Sequence, residues 1–512
     1  MRVLLPVSLL ACAALGCSLM TPLDDLSAHP LVGDGGSMTD GSAIDGGDAA
    51  VDGGPTVTGT LGFVSHWATN GGAYAIAARP GGGWFVAGTF QNTAAYYVPF
   101  GGYPMPKSLG GNDAFVASLD ANGNPTALTT FGGAYNEAVD GISADANGDV
   151  YVGGHTGGMT LGTTALPAGA FLAKLDGKTL GKVAWATGFA SDDAAFCSSC
   201  VKVAGNAVIA FGVVGSPDYA TATLTWGSGK TLATNGSGDT FLARLDATTG
   251  AVTSMSQAGG AKNDRAEGLA VDASGDAYLI GSYTGPIKTG QLFDGSNVPP
   301  SVGTSYNVVV ARVRAAGTVA WVKSYGDPAS SPVTGAGIAL DAKGRIAFGA
   351  TISGGVDFGL GPIAGTNGGG AVVVLEEATR KTLFQQAIGG PDNDDVRRVA
   401  FDPWGHLLVL GSYGAGATFG TTAFPPTNGH AVYVAKLGTS YALEWVRAGT
   451  PRAADGGTVS YGMLGYDVAV ASTGAIAISG GLTNPTDFGS GAVPKLSTAP
   501  NASDAVAVGY GP

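Results

Sequence analysis

Few residues of this chain are spaced for chemistry. Cys197-Ser-Ser-Cys200 is a Cys-x-x-Cys pair. Zinc would need further ligands, and no second Cys pair or neighbouring His supplies them. Redox exchange of the thioredoxin kind would need a βαβ setting, which the flanking sequence lacks. A small disulfide remains, in the loop leading into the third of the repeat units described below. The five histidines, His29, His66, His155, His406 and His430, are scattered, with no His-Glu-x-x-His spacing. Asp145-Ala-Asn-Gly-Asp149 superficially suggests a calcium loop, but its Gly comes where a hairpin needs positive φ rather than after the third ligand. No Walker-type loop and no nucleophile elbow are evident, so neither a metal nor a cofactor is expected. The remaining candidates are Tyr74, Asp140, Ser199, Glu267, Ala336, Arg397 and Tyr466, which occupy one equivalent position in seven repeats. Two acids, an arginine and two tyrosines brought together could hold a sugar or a peptide. Asp140 and Glu267 could also serve as paired carboxylates on a polysaccharide.

The elements that would position these residues follow from composition and repetition. Of 512 residues 87 are Gly, 45% are hydrophobic and only 12% are charged. That balance disfavours helices, which avoid Gly, and fits many strands joined by tight turns. The net charge of −13 makes nucleic acid an improbable partner.

One phrase, a strand, a polar turn and a second strand ending in Gly, recurs as Ile142–Gly154, Leu269–Gly281, Ile338–Gly349 and Val399–Gly411, with weaker copies from Ile76, Val201 and Val468. A second phrase follows each copy, as in Asp113-Ala-Phe-Val-Ala-Ser-Leu-Asp120 and Gly169-Ala-Phe-Leu-Ala-Lys-Leu-Asp176. A third closes the unit, as in Lys182-Val-Ala-Trp-Ala-Thr187. Seven units of four strands, A to D, predict an all-β, seven-bladed propeller over residues 59–512. The seventh unit has no D strand before Pro512, whereas Leu61–Thr69 resembles one. Residues 61–69 are therefore expected to join the blade formed by 466–511 as its outermost strand. Trp67, Trp185, Trp321 and Trp445 share one D-strand position and read as blade packing. The long B–C connections, such as Gln91–Asn112 and Gly215–Gly238, and the Gly-Gly D–A loops, such as Gly132–Glu137, Gly259–Asp264 and Gly389–Asp394, make one face elaborate. Elaborate loops on a rigid scaffold are where binding usually sits.

The N-terminus reads as an address. Met1-Arg2 precedes an apolar stretch from Val3 to Leu15 that meets Ala14-Leu15-Gly16-Cys17. This resembles a bacterial lipoprotein signal, 1–16, after which Cys17 would be acylated and would anchor the chain to the outer membrane or cell surface. Residues 17–58 then form an acidic Gly/Asp/Ser tether, expected to be disordered, whose charges are Asp24, Asp25, Asp34, Asp40, Asp45, Asp48 and Asp52.

Phrases such as Leu-Ala-Val-Asp-Ala-Ser-Gly-Asp-Ala-Tyr-Leu (269–279) and Asp-Ala-Phe-Val-Ala-Ser-Leu-Asp (113–120) resemble the bacterial SBBP-type β-propeller repeat family, many of whose members are exported or lipid-anchored. The resemblance implies the fold and export, and no particular activity. The expected function is a monomeric, surface-tethered scaffold that binds a protein or glycan through its B–C and D–A loops. An exported polysaccharide hydrolase or lyase, and a structural envelope component, are the alternatives.

Overall fold

The computed structural model describes residues 59–92, 98–215, 221–288, 292–293, 298, 301, 305–327, 329, 331–364, 368–452, 460–496 and 503–511. Residues 1–58, with Cys17 and the expected signal and tether, lie outside them. Every regular element among the described residues is a strand. The strands form seven four-stranded antiparallel blades around a central channel. The innermost A strands are Gly72–Ala78, Ala138–Ala144, Ala194–Ala204, Arg265–Val271, Val333–Leu340, Asp395–Phe401 and Met463–Val470, for blades 1 to 7.

The ring closes through its N-terminal strand. Leu61–Trp67 pairs antiparallel with Asp504–Tyr510, from Leu61 opposite Tyr510 to Trp67 opposite Ala505, as the D strand of blade 7. Gly511 N–H donates to Thr60 O at 2.8 Å at one end of the ladder. At the other, Trp67 is buried and stacks on Phe100 of blade 1, ring centroids 4.0 Å apart.

The core consists of seven apolar clusters, one in each seam between adjacent blades. This explains why the B and C strands are apolar throughout rather than alternating with polar residues. Along Leu407–Tyr413 of blade 6, Leu408 and Leu410 enter the seam with blade 7, while Leu407, Val409 and Tyr413 enter the seam with blade 5. Both faces of the sheet are interior, as in parallel sheets covered on both sides.

Four of the A–B turns, in blades 2, 4, 5 and 6, share one device. Asp145 Oδ1 accepts hydrogen bonds from Asn147 N–H at 2.9 Å and Asp149 N–H at 3.0 Å, and Gly148 takes φ +86°. Asp402 repeats this with Trp404 and His406, and its other oxygen meets His406 Nδ1 at 2.6 Å and Lys436 Nζ at 3.3 Å. These carboxylates are committed to their own turns and to a basic neighbour.

Six of the long B–C connections carry strands of their own. Those of blades 3, 6 and 7 fold into short hairpins that extend the preceding blade beyond its D strand, as Thr223–Trp226 and Lys230–Ala233 do on blade 2. Leu224 of that hairpin is fully buried in the blade 2–3 seam. In blades 1, 2 and 5 the connection forms a separate two-stranded ribbon.

The D–A acids are likewise spent internally. Glu137 is fully buried, accepting from Gly133 N–H at 2.7 Å and Gly157 N–H at 3.2 Å, so one carboxylate ties its own loop to the next blade's B strand end. Asp264 does the same with Gly260 and Thr284, and burial pushes its carboxyl up to about 7. Asp394 holds Gly390 and Gly414.

Candidate functional site

The seven candidate positions are equivalent in three dimensions, and a β-bulge makes them so. Pairing between A and B strands is regular except at one step in each blade. Tyr74, Asp140, Glu267, Arg397 and Tyr466 are each the single unpaired residue at that step. In blade 5 the step contains Ala336 and Gly337, and in blade 3 it contains residues 197–200, with Ser199 among them. A bulge bends the strand and re-aims its side chain, which is why bulges concentrate at sites of function. Opposite the bulge stands the Gly that ends each repeat phrase. A Cβ on Gly154 would lie 1.8 Å from Ala138 O, and one on Gly411 2.0 Å from Asp395 O. That Gly was visible in the sequence; the bulge it accommodates was not.

Four of the candidates form a continuous arc over blades 6, 7, 1 and 2. Arg397 Nε binds Asp395 Oδ2 at 2.9 Å, and its Nη1 reaches Gly465 O at 3.4 Å, beside Tyr466. The Tyr466 and Tyr74 rings meet nearly edge to face, centroids 5.1 Å apart at 79°. Thr89 Oγ1 donates to Tyr74 Oη at 3.2 Å. Asp140 Oδ2 lies 2.9 Å from His155 Nδ1, and the carboxylate raises the imidazole's pKa above its ordinary value. Burial pushes the Tyr466 hydroxyl up to about 12 and raises that of Tyr74. The arc thus offers two neutral phenols between a guanidinium–carboxylate pair and an imidazole–carboxylate pair.

Glu267 stands apart, on blade 4. Ser282 Oγ donates to it at 3.3 Å. Burial pushes its carboxyl up to about 7, against the opposing pull of Arg265 and Arg398. Glu267 and Asp140 belong to blades 4 and 2, and His155 already engages Asp140.

Cys197 and Cys200 are joined as a disulfide, with Cα atoms 5.2 Å apart. They lie within the A strand of blade 3 and not in the D–A loop, a correction with a simple cause. The ladder runs to Phe196 opposite Gly212 and resumes at Val201 opposite Ala210, so the four residues between are extruded as an oversized bulge. The bulge crosses the channel. Ser198 O accepts from Arg398 Nη2 of blade 6 at 3.1 Å.

Three channel residues escaped the sequence reading: Lys202, Arg398 and Asp467. Arg398 and Asp467 follow their bulge residue by one position, where other blades carry Ala75, Gly141 and Gly268. A charge where the repeat prefers Gly or Ala was the available signal. Among the described residues no cluster of three or more His, Cys, Asp or Glu is arranged to hold a metal ion.

The tryptophans at the shared D-strand position are packing groups. Trp67, Trp185 and Trp445 are buried, and Trp185 Nε1 donates to Ala247 O at 3.0 Å.

The chain matches no protein-family model and no curated protein. Among solved structures it is similar to the Dos1 propeller (10% identity over 88% of this chain and 94% of that one, TM-score 0.34). It is similar also to YCF48 bound to a D1 peptide (8%, 87% and 94%, TM-score 0.39) and to a protein of unknown function from Dyadobacter fermentans (10%, 73% and 94%, TM-score 0.40). The fold, read from its own strand order, is that of a seven-bladed β-propeller.

Proposed function

We propose that this protein is a non-catalytic, lipid-tethered scaffold of the bacterial outer membrane or cell surface, and that it binds a protein or glycan partner on its loop face. The observation that supports this reading is the arc of bulge residues Arg397, Tyr466, Tyr74 and Asp140 at the channel mouth. Aromatic surface flanked by fixed polar groups suits sugar rings and peptide segments alike. The B–C hairpins frame this mouth, and the D–A carboxylates of Glu137, Asp264 and Asp394 are already engaged by backbone N–H groups. Lipidation at Cys17 and the tether of residues 17–58 would hold the body at the membrane.

A glycan array and a secretome capture with the full chain test the reading. Tyr74→Ala and Tyr466→Ala are each expected to weaken capture at least 10-fold, while substitutions confined to the hairpin tips leave it unchanged. Partners that persist in both tyrosine variants would place binding elsewhere.

Glu267 gives the enzymatic alternative its one specific support, since a carboxyl near 7 retains a proton at neutral pH and could act as a general acid. Reducing-end release from polysaccharides that disappears in Glu267→Gln would favour it.

A further inference from the structure

Below the mouth, a layer of charge crosses the channel. Lys202 comes from blade 3, Arg398 from blade 6 and Asp467 from blade 7. Asp467 is nearly inaccessible, and its Oδ2 accepts Ile76 N–H at 3.1 Å. Arg398 spends Nη1 on Ala336 O at 3.1 Å and Arg397 O at 2.7 Å, and Nη2 on Ser198 O. Its Nε is buried without a hydrogen bond, the nearest carboxylate oxygen being Asp467 Oδ1 at 3.9 Å. Lys202 Nζ has one long contact, to Ser199 Oγ at 3.4 Å. Both cations face Asp467, and Arg398 also faces Glu267, whose carboxyl burial pushes up to about 7, so donor capacity is left over. Burial lowers the pKa of both cations, the cost expected of under-neutralised positive charge.

This layer roofs a cavity of about 240 Å³ that runs from Ser199 to Leu340 and Phe401, the last residues of their A strands, and so opens toward the A–B turns. It is smaller than the roughly 300–1,000 Å³ of drug-sized ligand sites. Its walls are A strands, each the first strand of its sheet, so the edges turned to the channel carry backbone N–H and C=O groups with no strand partner. Such a wall hydrogen-bonds hydroxyl groups readily.

We propose that this cavity binds a small sugar acid, its carboxylate on Lys202 and Arg398 and its hydroxyls on the A-strand edges. A carboxylate matches the surplus cation, a ring of monosaccharide size matches the volume, and several hydroxyls match the strand edges. The cavity shares Ser199 with the ring of bulge residues, but none of Arg397, Tyr466, Tyr74 and Asp140 lines it, and the proposal does not depend on what binds at that arc.

Titration calorimetry on the full chain tests it, with D-galacturonate, D-galactose and sulfate as probes. Saturable galacturonate binding is expected, with galactose and sulfate each at least 10-fold weaker. Lys202→Met should lose at least 10-fold and Lys202→Arg should retain most of the affinity. Galacturonate should also protect Lys202 of the unmodified chain from acetylation by acetic anhydride, a readout that needs no variant. No galacturonate binding, equal affinity for sulfate or galactose, unchanged affinity in Lys202→Met, or no protection of Lys202 would each overturn the proposal. Tyr74→Ala separates the two sites, because it should weaken partner capture at the mouth and leave galacturonate binding intact.

Discussion

The periphery of the loop face and the channel at its centre handle polar groups in opposite ways. At the periphery, Glu137, Asp264 and Asp394 are buried, and each ties a loop to the next blade through backbone N–H groups. The hairpins beside them add strands to neighbouring blades. At the centre, Tyr74 and Tyr466 stand among charged neighbours, and Arg398 keeps a buried Nε unbonded. The described B–C hairpins of blades 3, 6 and 7 are joinery, whereas a bulge takes Tyr74 and Tyr466 out of the ladder.

The contrast breaks most sharply at the clasp. Trp67→Ala removes a buried ring stacked on Phe100 and should cost about 3–5 kcal/mol in urea unfolding. A cost below about 1 kcal/mol would mean that the N-terminal strand is an accessory. Next, Leu224→Ala in the hairpin on blade 2 should cost about 2–5 kcal/mol while leaving partner capture unchanged. Near-neutral stability would return that hairpin to the class of adaptable binding loops.

Glu267 sharpens the comparison through pH. Its folded-state carboxyl titrates near 7 against an ordinary 4.5, so the native state holds its proton more tightly than the unfolded chain. The associated stability is complete below about pH 4.5 and is lost as pH rises through 7. Glu267→Gln should remove this decline, on the order of 3 kcal/mol at about 1.4 kcal/mol per unit, in denaturation midpoints followed from pH 4.5 to 7.5. Matching wild-type and variant profiles would show that the channel solvates this carboxylate. The smallest expected stability effect is at the mouth. Tyr466→Ala should cost about 1 kcal/mol, with its main consequence in capture. A larger loss would make Tyr466 part of the frame.

Much of the ring was legible in the sequence because each blade repeats its turn chemistry and its closing Gly. Gly148 and Gly405 sit at positive φ in the A–B turns, and Gly154 and Gly411 face the bulges. The clasp was legible because Trp67-Ala-Thr69 echoes Trp185-Ala-Thr187 in a chain whose last unit lacked an outer strand. The channel was only half legible. Alignment found Tyr74 and Tyr466 at one register position, yet nothing in their spacing showed that rings from opposite ends of the chain would touch. Lys202, Arg398 and Asp467 were missed because a periodic reading looks for what copies share, whereas these are departures from the shared Gly or Ala. The disulfide was misplaced by one element because extrusion from a strand and insertion in a loop look alike in one dimension.

The clasp also sets a polarity. Leu61 lies opposite Tyr510, at the end of blade 7 where the A–B and C–D turns lie, and Gly511 sits beside Thr60. The chain ahead of the body therefore departs from the turn side, at the outermost strand. A load applied ahead of Thr60 would pull directly on the strand that locks the ring.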